Sequence, residues 1–183
     1  EELVRSYNRD GMECVIVNPT RVYGPGPINE SNSVTKMISL YARGRWRIIP
    51  GDGKCVGNYV MVDDVVRGHI LAAQKGRPGE QYILGGENLT FDTFFDTLAT
   101  LTGRRLWLVK MPVSLMSAAA GVMEWQASFT GIPPLITPSW IKKYLNHWSL
   151  SSRKATEDMG YQPRPFAEGA KITMEWLQSG FER

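Results

Sequence analysis

Cys14-Val15-Ile16-Val17-Asn18-Pro19-Thr20-Arg21-Val22-Tyr23-Gly24-Pro25-Gly26-Pro27 is the stretch that decides the fold. Its apolar run, Cys14 to Val17, does not alternate with polar residues. Such a run reads as a strand covered on both faces, as in a parallel sheet, with Cys14 as a small core residue. Pro19 has a fixed φ and no N–H, so it stiffens the strand exit, and residues 24–32 read as loop. In open α/β sheets the carboxyl ends of strands border the ligand crevice. Two readings of this exit stand side by side: a wall built for a ligand, or a rigid turn with no ligand.

Working outward, residues 1–9 read as the end of a helix stopped at Asp10-Gly11. The spacing of Val34, Met37, Ile38 and Tyr41 predicts a helix over 33–43. Tyr59 to Val62 is a second short strand. A helix follows from Asp63 or Asp64, with Val65, Val66, Ile70 and Ala73 expected on its inner face. These adjacent carboxylates do not face each other on a helix, so an N-cap and dipole role is expected of them. Gln81 to Leu84 is a third strand, ended by Gly85-Gly86. Thr90 is a good N-cap for a helix carrying Phe91, Phe94, Phe95, Leu98 and Leu101, with Gly103 just past its end. A strand-like Leu106 to Val109, helices near 113–130 and 138–146, and a last helix near 167–181 complete the chain. That last helix should bury Ala170, Thr173, Met174, Leu177 and Phe181.

Strand–helix alternation in front and helices behind predict an α/β fold with a smaller helix-rich lobe. The chain has 183 residues, 43% hydrophobic and 21% charged, enough for one ordinary domain or one large and one small lobe. Three short strands cannot cover both faces and the edges of a parallel sheet. The rest of the sheet is therefore expected upstream or from another chain. An unpaired apolar edge near Cys14–Val17 is expected, covered by another chain, in a homo-oligomer or in pairing through the exposed sheet edge. The opening of the chain inside a helix, at Glu1, points the same way.

The net charge is only +3, from 21 Lys+Arg against 18 Asp+Glu, which does not favour nucleic acid or a membrane surface as partner. Arg43-Gly44-Arg45-Trp46-Arg47 has the look of a basic–aromatic patch, but a solvated helix exit is the favoured reading. Two cysteines without framework spacing suggest a reduced, cytoplasmic setting. No signal-peptide pattern opens the chain. The Met-rich stretch Met111–Phe129 reads as a substrate-lobe lid or core helix, with packing suited to a pocket wall, rather than a membrane-surface helix. Two histidines, His69 and His147, lie far apart without ligand spacing, so no metal is expected. Gly51-x-Gly53-x-x-x-Gly57 misses the dinucleotide spacing and reads as a turn.

Asn18-Pro19-Thr20-Arg21-Val22-Tyr23-Gly24-Pro25 resembles the R-P-x-N-V-Y-G-P segment of extended short-chain dehydrogenases/reductases, the NAD(P)-dependent epimerase/dehydratase superfamily. Further matches follow in order. Gly51-Asp52-Gly53 with Asn58-Tyr59-Val60-Met61-Val62-Asp63-Asp64-Val65 is similar to the family's G-D-G…R-D-Y-I-H-V-D-D-V segment. Tyr82 to Thr90 resembles the last sheet strand and the next helix cap. Ser151-Ser152-Arg153-Lys154-Ala155 through Pro165 resembles the S-x-K-A…L-G-Y-x-P-R-P segment. The flavour is that of dihydroflavonol-4-reductase-like and hopanoid-associated sugar epimerase-like members.

The resemblance implies the C-terminal part of a Rossmann-type parallel sheet plus a helix-rich substrate lobe. It places that sheet part at 1–90, with a substrate-lobe insertion near 26–55, and the lobe at 91–183, its last helix packing back. It implies NAD or NADP in the intact enzyme and a small-molecule substrate. Pro19, Thr20 and Val22 match positions beside the nicotinamide. Arg21 and Tyr23 would face substrate, and Asn58 and Tyr59 would line its wall, although Tyr59 also reads as strand core. Against the substrate-facing reading of Arg21 stands the favoured one, an exposed arginine at the loop rim. The family's glycine-rich loop and Tyr-x-x-x-Lys are not in this sequence: none of the seven tyrosines has Lys four residues on. No catalytic residue is therefore assigned. Family enzymes acting on nucleotide sugars often carry Arg where this chain has Gly57. The departure favours a smaller carbonyl or alcohol substrate, unless Arg45 or Arg47 substitutes. The rival reading is a non-catalytic binding or interaction module derived from the family.

Overall fold

The computed structural model describes residues 2–9, 11–27, 32–130 and 146–180. In chain order the strands are β1 (Ile16–Pro19), β2 (Arg21–Tyr23), β3 (Ile48–Pro50), β4 (Val56–Met61), β5 (Gln81–Leu84), β6 (Glu87–Thr90) and β7 (Val109–Met111). The helices are α1 (Glu2–Arg9), α2 (Ser33–Ala42), α3 (Val62–Lys75), α4 (Phe91–Thr102), α5 (Val113–Thr130), α6 (Arg153–Met159) and α7 (Phe166–Gln178). The expected helix near 138–146 and Phe181 of the last stripe lie outside the described residues.

The architecture is mixed α/β with parallel pairing, as expected, but the three apolar runs do not share one ladder. β1 pairs in parallel with β5, Val17 opposite Tyr82. β4 pairs instead with β2 in parallel, Val22 opposite Val60, and with β6 antiparallel. β3 and β7 form a separate parallel pair. The strand expected at Cys14–Val17 begins later, at Ile16, and runs through Pro19. Cys14 precedes it and is half-buried rather than core. Thr20 N–H still donates to Leu84 O at 3.3 Å, and the chain then crosses to its next partner, β4. Among the described residues β1 has a ladder on one side only.

Two hydrophobic clusters hold these elements. The larger is aromatic: Tyr23, Tyr41, Trp46, Tyr59, Phe91, Phe94, Phe95 and Phe166, packed with Val34, Met37, Ile38 and Leu98. Phe94 and Phe166 lie 4.7 Å apart between centroids, and Tyr59 and Phe94 5.0 Å. Such pairs contribute roughly 0.5–1.5 kcal/mol each beyond area burial. The helix spacing read from the sequence accounts for this cluster: α2 buries Val34, Met37, Ile38 and Tyr41. Likewise α7 buries Ala170, Thr173 and Met174, and Leu177 packs at the margin. The α4 boundaries also follow their signals. Thr90 accepts from Thr93 N–H at 3.1 Å, and Gly103 closes the helix at φ 64°.

The smaller cluster joins α3, β4, β5 and α6 through Val60, Val65, Ala72, Tyr82, Leu84, Ala155, Met159 and Tyr161. Here α3 corrects the expected inner face. Val66 and Ile70 are 53% and 51% exposed, and Ala73 is exposed too. The buried face is Asp64, Val65, Gly68 and Ala72. Gly68 sets this rotation: a Cβ there would stand 2.8 Å from Leu84 side-chain carbons, so only glycine lets strand and helix approach this closely.

Asp63 and Asp64 correct a second expectation. The N-cap of α3 is Met61, and no side chain caps it. Asp64 is instead 2% exposed and holds Arg164 from the far end of the chain. Both carboxylates do lie in the first turn, where the helix dipole favours them.

Candidate functional site

The carboxyl ends of β1 and β5 and the start of β2 converge around residues 19–22 and 84–86, and Asn58 on β4 stitches them together. Asn58 Oδ1 accepts from Thr20 Oγ1 at 2.7 Å and from Gly86 N–H at 2.8 Å. Its Nδ2 donates to Asn88 Oδ1 at 2.8 Å, Gly86 O at 3.1 Å and Leu150 O at 3.3 Å. Asn58 is 1% exposed and its amide is fully engaged within the protein. Beside it, Ser152 Oγ accepts from Gly85 N–H and donates to Gly85 O. The strand ends are thereby tied to the segment that returns from the helix-rich half.

The surface of this corner carries Pro19, exposed, with Thr20, Arg21 and Val22 half-buried. Arg21 sits on β2, not on a loop rim, opposite Tyr59. Its guanidinium lies 5.6 Å from the Tyr59 ring centre, and Nη1 donates to Tyr59 Oη at 3.3 Å. Gly57 makes this possible. A Cβ on residue 57 would collide with Arg21 Nη1 and with Tyr59 Oη. The positive charge of Arg21 thus stands over the position at which a side chain from β4 would emerge. It also acts on Cys55, whose thiol is pushed up by burial and by the Asp52 carboxylate and drawn down by Arg21.

Tyr23 and Tyr59 are each 1% exposed. Tyr59 presents its hydroxyl to Arg21 while its ring packs on Phe94 and Phe166. Tyr23 lies deeper. Its hydroxyl donates to Phe166 O at 3.4 Å, its ring meets Phe166 edge-on at 5.2 Å, and burial drives its phenol far above the ordinary value. Of the seven residues singled out in the sequence, Pro19, Thr20, Arg21 and Val22 form the accessible corner. Asn58, Tyr59 and Tyr23 form its support.

Sequence reasoning missed what locks the last helix onto this corner. Asp64 accepts from Arg164 N–H at 3.0 Å and from its Nε at 3.1 Å. Two residues on, Glu87 accepts from Phe166 N–H at 2.9 Å. Carboxylates from α3 and β6 thus grip the entry to α7 from two sides. The available signal was weak: acids after Met61-Val62 and Gly85-Gly86 read locally as helix and turn residues, and their partners lie 100 and 79 positions away. Two open grooves, about 620 and 370 Å³, lie along α4 and along α7, away from the strand ends.

Cofactor fit can be tested on these residues. An exposed proline ring beside half-buried Thr20 and Val22 offers a firm, mostly apolar face that suits a flat ring such as nicotinamide. A pyrophosphate needs backbone N–H groups of a glycine-rich turn at a helix N-terminus, and this sequence has no such motif.

Residues 1–85 match the model of the NAD dependent epimerase/dehydratase family. The chain is 25% identical over 188 residues to a 3beta-hydroxysteroid-dehydrogenase/decarboxylase of Arabidopsis thaliana, covering 94% of this chain and 42% of that protein. It is 27% identical to a putative dihydroflavonol 4-reductase of Synechocystis, covering 93% and 50%. Among solved structures it superposes on gox2253 with a TM-score of 0.72 and 32% identity, covering all of this chain and 54% of that one. A UDP-glucose 4-epimerase of Thermotoga maritima, solved with UDP-glucose, gives 0.70 and 28%, covering 97% and 52%. The chain thus spans about half the length of the proteins it matches. On its fold, the order of its motifs and these matches, the chain is a relative of the extended short-chain dehydrogenases/reductases of the NAD-dependent epimerase/dehydratase superfamily.

Proposed function

We propose that this chain is the C-terminal, substrate-facing portion of an NAD(P)-dependent oxidoreductase or epimerase. In this reading residues 1–90 complete the cofactor-binding sheet, with an insertion near 26–55 belonging to the substrate lobe. Residues 91–183 are mainly that lobe, with α7 packing back. The observation that carries the reading is the corner at Pro19–Val22: parallel strands end side by side, a rigid exit follows, and one arginine is held at its edge. Ligands of open α/β sheets bind outside such strand ends.

Pro19, Thr20 and Val22 would border the nicotinamide, which supplies or accepts the hydride when bound. Arg21 would pair with an anionic or oxygen-rich group of a small carbonyl, alcohol or sugar-like substrate, because a guanidinium presents a planar fork of donors. Asn58, Tyr59 and Tyr23 would support this wall from behind. Gly57, with no side chain of its own, makes room for the Arg21 charge, an arrangement suited to a substrate smaller than a nucleotide sugar. Proton-transfer groups would come from outside this sequence, and the chain alone would not catalyse. The open edge of β1 would be covered by the rest of the sheet, from upstream or from another chain.

The absence of Tyr-x-x-x-Lys from the sequence also supports a second reading, a non-catalytic module derived from the family. The residues encoded ahead of Glu1 separate the two. A Tyr-x-x-x-Lys and a glycine-rich loop there support the enzyme; a stop or an unrelated domain there overturns it. In the intact enzyme, Arg21→Ala should raise KM roughly tenfold or more, as loss of a charge-assisted hydrogen bond does. An unchanged KM would remove Arg21 from the site.

A further inference from the structure

The fold gathers charge that the sequence disperses. The β3–β7 ladder places residues 43–47 alongside residues 104–108: Val109 N–H donates to Arg47 O at 2.8 Å, and Tyr41 Oη donates to Arg104 O at 3.0 Å. Arg43, Arg45, Arg47, Arg104, Arg105 and Lys110 are all exposed on this part of the surface. Carboxylates share this surface: Asp96 pairs with Arg105 at 3.5 Å, Asp92 pairs with Lys110 at 2.8 Å, and Glu175 lines a groove with Arg104. Among the described residues the exposed arginines at 45 and 47 add further cations beside them. Averaging over 183 residues hid this, which is why the sequence did not favour a charged surface as partner.

The same segment exposes apolar side chains in an ordered way. Leu106 and Leu108 turn inward onto the aromatic cluster, while Trp107 is 83% exposed and Val109 44%. Val113 and Leu115, at the start of α5, are also exposed. A tryptophan flanked by arginines and followed by bare aliphatic residues matches the chemistry of a membrane–water interface. There cations meet lipid phosphates, and the indole and aliphatic groups enter the layer beneath. A nucleic acid would use the cations and could stack on the indole, but would leave Val109, Val113 and Leu115 in water. No helix among the described residues is long and apolar enough to cross a bilayer.

We propose that the face built from residues 43–47 and 104–115 docks on an anionic phospholipid surface, with Trp107 entering the interface. This does not depend on the enzymatic reading. The test uses the protein as its gene encodes it, in sedimentation with phosphatidylcholine vesicles, with and without about 30 mol % phosphatidylserine. Binding is expected only to the anionic vesicles and should weaken as salt rises. Arg104→Gln and Arg105→Gln should each weaken binding roughly fivefold. Trp107→Ser should weaken it roughly tenfold or more. Trp107→Phe should retain most binding but lose the blue shift of tryptophan fluorescence. All three positions are exposed, so thermal unfolding should not change. Equal binding to neutral and anionic vesicles would overturn the proposal. So would no loss in the arginine and serine variants, or a mixed-sequence oligonucleotide that binds more tightly and displaces the vesicles.

Discussion

The Arg21 guanidinium occupies the space that a side chain on residue 57 would fill, and it is held there by the hydroxyl and ring face of Tyr59. The relationship is reciprocal: Gly57 makes room, and Arg21 fills it. Gly57→Ala should displace the guanidinium and act on the same property as Arg21→Ala. In a double-mutant cycle on substrate KM in the intact enzyme, the two effects should fail to add by roughly 1 kcal/mol or more. Full additivity would show that the two residues act separately.

Cys55 reports on the same charge without any substrate. Arg21 lowers the Cys55 thiol pKa against the upward push of burial and Asp52. Arg21→Gln should therefore raise it further and slow alkylation of Cys55 at neutral pH, measured in a Cys14→Ser background. A faster reaction would place the guanidinium elsewhere.

The clasp on the last helix should dominate stability. Asp64 is 2% exposed and Arg164 13%, and without the guanidinium Asp64 keeps only the residue-164 N–H and Arg67 at 3.9 Å. Arg164→Ala should cost about 1.5–3 kcal/mol in urea unfolding, as loss of hydrogen bonds to a charged group does. Glu87→Ala, which removes an exposed acceptor and frees only Phe166 N–H, should cost about 1 kcal/mol. Similar losses for both would argue that Asp64 and Arg164 are not a buried pair.

Asn58 should be costly to truncate in its own way. Asn58→Ala leaves the Thr20 hydroxyl and Gly86 N–H without their acceptor, at about 1–3 kcal/mol for each group left buried and unpaired, while Asn88 keeps Leu150 N–H. Thr20→Val removes one hydroxyl and one bond and should cost about 1 kcal/mol. Loss of the 146–152 docking, read as raised hydrogen exchange at Leu150, should accompany the first change and not the second.

Alkaline pH should unfold the protein through two phenols. Burial raises Tyr23 and Tyr161 above the ordinary tyrosine value of 10.0, with Asp64 adding to both. Groups held neutral in the folded state contribute their full stability below pH 10.0 and lose it as pH rises beyond. Urea midpoints should hold up to that pH and then fall. In a phenolate absorbance titration these two of the seven tyrosines should ionise only on unfolding. Seven phenols titrating near 10.0 in the folded protein would contradict this.

How much of this was legible in the sequence depends on the range of the forces involved. Helices α2 and α4 were readable because apolar spacing and cap chemistry are local: Val34–Tyr41, Thr90 and Gly103 carry their own instructions. Sheet membership was not. Val60 and Val17 look alike as apolar strand residues, yet one pairs with β2 and the other with β5, a choice made by partners far along the chain. The face of α3 was misread for the same reason, since a glycine at 68 outweighs apolar residues at 66 and 70 only once Leu84 is in place. In the candidate site, Pro19–Val22 were legible as a rigid exit. The supporting role of Asn58 and the fit of Arg21 over Gly57 are long-range and became visible only in three dimensions.

The central claim is that this chain carries the substrate side of a dinucleotide enzyme without the part that holds the pyrophosphate. NADH and NADPH titration by fluorescence tests it most directly, on the 183-residue chain and on the protein as its gene encodes it. The account predicts micromolar binding by the gene-encoded protein and weak or no binding by the chain alone. Micromolar binding by the chain alone, or none by either, would contradict it.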